Sequence, residues 1–251
     1  MKTAIIDGDM ICYRCAASAE NEPLEVALER VDSLIERIMA ETGASTQECW
    51  LTGSNNFRYD INPQYKADRK DKPRPKWLQD VREHLVVGWG ARVSDGNEAD
   101  DEMGISQCAS EDSVICTNDK DLLMIPGHHY NPVTNEHRVI SPHQGMQNFY
   151  FQMIMGDTSD NIFGFDGKKR SKVPKFLEPT IAQLMECETN WDMYEFTAQL
   201  YDDHSPNPDH WVGSRETIER FEMNAHCLYI WRQPNDKWRV PEKETQLSSQ
   251  D

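Results

Sequence analysis

The chain has 251 residues, 38% of them hydrophobic, enough for one large α/β domain or for a core domain with a smaller helical one. No apolar run is long enough to span a membrane, and Met1-Lys2-Thr3-Ala4-Ile5-Ile6-Asp7 lacks a signal-peptide layout; the expected setting is the cytoplasm, with the seven scattered cysteines reduced and mostly buried. A formal net charge of −17 argues against nucleic acid, yet the cations are concentrated: six basic residues stand between Lys66 and Lys76 against two acids, and five between Lys168 and Lys175 against none. Such clusters suit a polyanion, and they equally suit two solvated loops.

Thr3 to Ile6 is a short β-branched and apolar run that ends at Asp7-Gly8-Asp9, a strand followed by a turn. Leu24, Leu28, Val31, Ile35 and Ile38 recur at helical spacing before Gly43, so residues 23–42 read as an amphipathic helix with a glycine stop. Glu48 to Thr52 is a second strand, and Trp77, Val81 and Leu85 lie on another helical face. Ala91 to Ser94 and Ser113 to Thr117 are further strands, with a helix between them starting near Glu98. This alternation predicts an α/β fold with a mostly parallel central sheet flanked by helices. After about Gln147 the pattern turns helical, with helices expected at Phe149–Met155, Trp191–Tyr201 and Arg215–Trp231. The expected division is an α/β core over residues 1–146, a helical subdomain over 147–232, and a polar, fraying tail over 233–251.

The acids fall where strands end, and in an open parallel sheet that is where ligands bind. Asp7 follows the first strand; Glu98, Asp100 and Asp101 follow the third; Asp119 and Asp121 follow the fourth; Asp157 and Asp160 close a predicted helix in Gly156-Asp157-Thr158-Ser159-Asp160-Asn161. Eight carboxylates on one rim repel unless a hard cation compensates them, and Mg²⁺ or Mn²⁺ prefers such oxygen ligands. Two such ions about 3.5–4 Å apart can activate a water and stabilise the leaving oxygen of a phosphodiester. Taken singly, each acid reads as a surface charge or a helix cap, a role that suits Asp100 and Asp101.

Five short motifs then occur in one order: Ile6-Asp7-Gly8-Asp9; Asn56-Phe57-Arg58 followed by Tyr65-Lys66-Ala67-Asp68-Arg69; Glu98-Ala99-Asp100-Asp101; Asp119-Lys120-Asp121; and Gly156-Asp157-Thr158-Ser159-Asp160-Asn161-Ile162. In that order they resemble the 5′→3′ exonucleases of the flap-endonuclease (PIN-like) family, especially its phage members. The resemblance covers residues 5 to about 175, and Asn224-Ala225-His226 through Trp231-Arg232 looks like the closing helix of the phage enzymes. It implies hydrolysis of DNA near a 5′ end or flap, with RNA–DNA hybrid as a further substrate, by a monomer using two Mg²⁺ or Mn²⁺ ions in replication or recombination. By the same resemblance Asp7, Glu98 and Asp100 would hold the first ion. Asp119, Asp121 and Asp157 would hold the second, with Asp101 and Asp160 reaching it directly or through water. Lys66 and Arg69 would stand over the scissile phosphate as catalytic cations, and Arg58 would contact DNA. Tyr65 would stack on a terminal base or, equally, sit in the core.

Two positions depart from the family pattern. Gly53, in Leu51-Thr52-Gly53-Ser54-Asn55-Asn56-Phe57, stands where the family has an aspartate, which leaves Asp9 as a substitute ligand and makes a carboxylate restored at Gly53 an expected gain for the metal. The family also has a helix–three-turn–helix element with a glycine-rich hairpin; here the sequence is Gly164-Phe165-Asp166-Gly167-Lys168-Lys169-Arg170-Ser171-Lys172. Phosphate pairing by Lys168, Lys169, Arg170 and Lys172 is expected to replace its cation-mediated DNA contact, with Ser171 capping the next helix and Pro174 in its first turn.

Cys12-x-x-Cys15 has no second cysteine pair at ligand spacing, His128, His129, His137 and His143 fall in a polar, turn-rich stretch, and the Trp and Tyr residues from 191 onward sit at core spacing. None of these is expected to carry the chemistry. The competing readings are a PIN-like ribonuclease, which would share the acidic rim, and a DNA-end-binding protein without catalysis.

Overall fold

The computed structural model describes residues 1–69, 72–204, 206 and 215–243. Lys70 and Asp71 of the first basic stretch and residues 244–251 of the expected tail lie outside them. The first strand, β1 (Thr3–Asp7), runs directly into helix α1 (Gly8–Ser18), where a turn was expected. The reason is Asp7, whose side chain accepts from the Met10 N–H and so caps the helix that begins beside it. Helix α2 (Leu24–Thr42) stops at Gly43, which takes the left-handed conformation with φ of 64°. There follow β2 (Thr46–Leu51), a single helical turn α3 (Arg58–Ile61), α4 (Leu78–Trp89), the short β3 (Arg92–Val93), α5 (Ala99–Cys108) and β4 (Ser113–Cys116). The histidine-rich stretch forms a hairpin, β5 (Gly127–Asn131) and β6 (Glu136–Ile140), rather than a loop.

The six strands lie in the order β3-β2-β1-β4-β5-β6; every neighbouring pair is parallel except the β5–β6 edge. The sheet is mostly parallel and flanked by helices, as the alternation predicted. Ala4, Ile6, Val114 and Cys116 point into one core with Ala16 of α1, Ile35 of α2 and Val81 of α4. Ile5 and Ile115, one residue out of phase, face the other layer, where α5 lies across β1, β2 and β4. Cys12, Cys15 and Cys49 are part of the first core, and burial pushes the Cys15 thiol up to about 11 and that of Cys49 to about 12, so these thiols are inert.

Helix α6 (Pro142–Met155) leads to a small antiparallel pair, β7 (Gly156–Asp157) and β8 (Ile162–Phe163), and then to α7 (Glu178–Glu186), α8 (Asn190–Asp203) and α9 (Thr217–Leu228). Ser171 does not cap α7: the chain stays irregular to a 3₁₀ turn at Lys175–Leu177, and α7 begins with Pro179 in its first turn. No described helix is long and apolar enough to cross a membrane.

The chain forms two compact units that are discontinuous in sequence: Met1–Pro63 with Asp68–Gly145 and Ile230–Asp236, and Gln64–Ala67 with Met146–Tyr229 and Lys237–Asp251. In the second unit Arg220 is buried and donates to the carbonyls of Phe165, Tyr201 and His204, tying α9 to the end of α8 and to the loop after β8. Residues 237–243, expected to fray, are ordered there: Trp238 is buried among Tyr194, Phe221 and His226. In the first unit the segment Ile230–Asp236 straps across α5 and the turn after β4. Trp231 stacks on Phe57 at 5.0 Å between ring centroids, and Arg232 donates to the Met124 carbonyl at 3.0 Å. A Cβ at Gly104 would stand 2.3 Å from the Trp231 carbonyl oxygen, so only glycine lets the strap lie this close. Gly104→Ala is therefore expected to cost about 1–3 kcal/mol in urea denaturation, with an altered Trp231 fluorescence; an unchanged midpoint would mean that the strap is not seated on α5.

Candidate functional site

The strand order reverses between β1 and β4, and in open α/β sheets that switch point is where a crevice forms beyond the strand ends. Asp7 is the last residue of β1, and its Oδ2 accepts from the hydroxyl of Thr117, just past β4, at 2.7 Å. The Thr117 hydroxyl also accepts from the Asp119 N–H at 2.9 Å, and Asp119 Oδ1 accepts from the Asp121 N–H at 2.9 Å. Asp7 and Asp119 thus flank the switch point, bridged by one threonine. Burial raises the Asp7 pKa to about 6, and the carboxylates of Asp9 and Asp119 add to the shift, against the pull of the Met10 N–H and the Thr117 hydroxyl. Among the described residues neither Asp7 nor Asp119 forms an ion pair. Asp121 is paired with Lys120 at 3.2 Å.

The N-terminus of α5 brings Glu98, Asp100 and Asp101 to the same unit, and their environments differ. Glu98 is buried and its Oε1 accepts from the Asn56 side-chain amide at 2.8 Å. Asp100 is half-buried on the first turn. Asp101 is fully buried: Arg58 pairs with both of its oxygens, at 2.6 and 2.9 Å, and the N–H groups of Glu98 and Trp231 donate to it at 3.0 and 3.1 Å. Four N–H donors, two of them from one guanidinium, saturate this carboxylate, so it acts here as a structural anchor and is not left open to reach a metal as expected. Arg58, only 2% exposed, is correspondingly withdrawn from the expected contact with DNA.

Gly53 leaves no room for the family aspartate. A Cβ there would stand 2.1 Å from the Ser94 carbonyl oxygen, so any side chain must first displace backbone, and the expected gain from a carboxylate at this position is lost. Asp9 is not a substitute either. Arg82 of α4 pairs with its Oδ1 at 2.6 Å and donates to the Thr52 carbonyl at 2.9 Å, while Asp9 Oδ2 accepts from the Thr52 N–H, also at 2.9 Å. The Thr52 hydroxyl in turn accepts from the Ala99 N–H at 3.1 Å, so this small network sets the end of β2 against the start of α5. Neither Arg82 nor Thr52 stood out in the sequence: their types and spacing are ordinary, and only the fold brings them to Asp9. Asn56 and Thr117 were nearer to hand, the one within a motif and the other two residues before one.

In the second unit Asp157 is buried on the β7–β8 hairpin, and its Oδ1 accepts from the N–H groups of Ser159 and Asp160 at 2.6 and 2.9 Å. Asp160 gathers two neighbouring motif residues of this unit: Tyr65 donates its hydroxyl to Asp160 Oδ2 at 2.7 Å, and the Lys66 ammonium stands 3.7 Å from the same atom. Tyr65 is 1% exposed, so it is a core aromatic with no face for a terminal base. Lys66 is held in the left-handed region at φ of 54°, its N–H donating to the Asp160 carbonyl at 2.9 Å. Arg69, in the first unit, lies exposed in a 3₁₀ turn. The basic loop divides its labour. Arg170 pairs with Asp166, and Lys169 donates to the Asn161 side chain, so both hold the loop together, whereas Lys168 and Lys172 are exposed.

Among the described residues no three His, Cys, Asp or Glu side chains are gathered closely enough to hold an ion, so the ligand sets expected from the motifs are not preformed. The donor chemistry nevertheless suits a hard divalent cation: Asp7 is a buried carboxylate whose ionisation is opposed by two neighbouring anions and relieved by no cation of the chain.

Two outcomes follow. Arg58→Ala strands the buried Asp101 charge and is expected to cost about 3–5 kcal/mol, while Arg58→Met with Asp101→Leu recovers much of that loss in thermal unfolding; equal losses in both would show that the pair is not the anchor. For Asp7 the sign is set by its raised pKa. Between pH 4 and 6 the unfolded chain releases a proton that the folded chain retains, so this group's contribution to stability falls as pH rises and levels off above 6. The stability difference between Asp7→Asn and the wild type, by urea denaturation in EDTA, is expected to grow in the variant's favour by about 3 kcal/mol from pH 4 to pH 7; a flat difference would contradict it.

No family model matches the sequence. Solved structures do. The chain aligns over 90% of its length with 91% of the bacteriophage T5 protein crystallised with metal ions, at 14% identity and a TM-score of 0.61. It aligns to the same extent and at the same identity with a complex of the T5 flap endonuclease with DNA and metal ions, with a TM-score of 0.58. A lysine-to-alanine mutant of the T5 5′-exonuclease is covered over 98% of its chain, with a TM-score of 0.51. The chain has the fold of the phage T5 flap endonuclease.

Proposed function

We propose that this protein is a divalent-metal-dependent nuclease that hydrolyses DNA near a 5′ end or flap, acting as a monomer. The observation that carries the reading is the pair Asp7 and Asp119 on either side of the sheet's switch point, with Asp7 buried and raised to about 6. The likeness to the T5 enzyme, one of whose structures holds DNA and metal ions, supports the substrate class.

On this reading Asp7, Glu98 and Asp100 would hold one Mg²⁺ or Mn²⁺, and Asp119 and Asp121 would contribute to a second. Bound, such ions supply an activated water and offset the charge that develops on the phosphate. The chain's own groups do the rest. Thr117 fixes the Asp7 carboxylate by its hydrogen bond, and Asn56 does the same for Glu98. Asp160 and Tyr65 hold the Lys66 ammonium in one place, so its charge is available to a phosphate oxygen without reorganisation. Arg69 and the exposed Lys168 and Lys172 add sequence-independent phosphate contacts.

The test is cleavage of a 5′-labelled duplex, a 5′-flap and an RNA–DNA hybrid in Mg²⁺, Mn²⁺ or EDTA. Products are expected with either metal and none in EDTA, and Asp119→Ala is expected to lower the rate by more than the roughly 10–100-fold that a supporting partner costs, with DNA binding retained. Hydrolysis undiminished by EDTA would overturn the metal mechanism. Binding without hydrolysis in any metal would favour an end-binding protein, and cleavage confined to RNA a ribonuclease.

A further inference from the structure

Away from the acidic rim, α1 and α2 enclose an open cleft of about 700 Å³ with an unusual lining for a chain of net charge −17. Arg14 and Ser18 of α1 form one wall, and Glu29, Arg30, Ser33 and Arg37 of α2 form the other. The α2 residues are spaced to fall on a single helical face, and Arg30 and Arg37 stand two turns apart, roughly 10 Å along the axis. The three guanidiniums differ in how far the protein already satisfies them. Arg30 is paired with Glu22 at 2.7 Å and donates to the Ser18 hydroxyl at 3.1 Å. Arg37 is exposed and donates to the carbonyl of Pro132, a neutral acceptor that leaves its charge uncompensated. Arg14 is exposed and, among the described residues, makes no hydrogen bond or ion pair. Glu29 is the one carboxylate on the walls.

We infer that this cleft binds the phosphates of a single-stranded segment of nucleic acid, an inference that rests on the nuclease reading. Guanidinium groups take phosphate oxygens in pairs, and the exposed Ser33 hydroxyl beside them is a further donor, the Ser18 hydroxyl being given to the Cys15 carbonyl. The floor argues against the other occupant of a two-helix groove, an acidic amphipathic helix. Cys15 and Leu34 are 3% and 7% exposed and already spent in the core, so the half-buried Val26 is the one apolar side chain of the lining left to seat one. No aromatic ring lines the cleft, so bases would not stack there, and recognition would be of backbone alone, without regard to sequence. A duplex is read by elements that enter its grooves, whereas a concave cleft admits one strand. The position fits as well. Asp7 caps the same helix that carries Arg14 two turns further on, roughly 10 Å along its axis, so a strand leaving the β1 end has the cleft within reach.

The test compares wild type with Arg14→Ala/Arg37→Ala, both changes being at exposed positions, by fluorescence anisotropy of a labelled oligo-dT in EDTA over a range of KCl. Loss of two phosphate contacts is expected to weaken binding roughly tenfold and to flatten the slope of log K against log salt by about 1.4, at about 0.7 per contact on a single strand. Arg14→Lys/Arg37→Lys should keep most of the slope. An unchanged slope in the double alanine variant overturns the inference, as does a wild type that does not bind the oligonucleotide. So does displacement by polyglutamate of a variant-insensitive complex. Cleavage of a blunt duplex in Mg²⁺, run in parallel, separates the two readings: intact cleavage with an unchanged slope sinks the cleft alone, and a changed slope without any cleavage sinks the nuclease alone.

Discussion

Much of the first unit depends on the buried pair of Arg58 and Asp101. One carboxylate receives a guanidinium from the loop after β2, the N–H that precedes α5, and the N–H of Trp231 from far along the chain. A lone charge at zero exposure would cost several kcal/mol, so each of these segments is held where it completes the set. The consequence for the site is direct. Asp101 fixes the start of α5, and Glu98 and Asp100 ride on that start. Arg82 and Thr52 brace the same point from the other side, through Asp9 and the Ala99 N–H. The residues with the most charge in this region are therefore scaffold, and those left for chemistry are the ones the scaffold does not neutralise.

That distinction sorts the acids better than their order in the sequence does. Asp9, Asp101, Asp121 and Asp160 each have a cation of the chain beside them. Asp7 and Asp119 have none among the described residues, and they meet at the switch point of the sheet. Ionising Asp7 there is opposed by burial and by its neighbours, a cost that a bound cation would offset.

The strands, the parallel sheet and the acids at strand ends were legible because period and punctuation carry them: β-branched runs closed by Asp or Gly need no tertiary information. Helix α1 was not legible because Asp-Gly marks a turn and an N-cap with the same residues, and only the Met10 N–H decides between them. By the resemblance Arg58 read as a DNA contact, and Tyr65 as a base-stacking or, equally, a core residue. Their burial depends on Asp101 and Asp160, 43 and 95 residues away. Gly53 shows the opposite limit. The missing aspartate was visible in the sequence, but its reason was not: the backbone of Ser94 occupies the space a side chain would need.

The same sorting bears on how a chain of net charge −17 meets a polyanion. Repulsion from distant carboxylates is screened beyond about 8 Å at physiological salt, so the near contacts decide. Several of the cations nearest the motifs are already committed: Arg58 to Asp101, Arg170 to Asp166 and Arg82 to Asp9. Counting basic residues along the chain therefore overstates what is available to phosphate. Arg14, Arg37, Lys168 and Lys172 are exposed and stand at separate places rather than on one patch. A protein arranged in this way would meet phosphate through a few short contacts whose strength falls as salt rises.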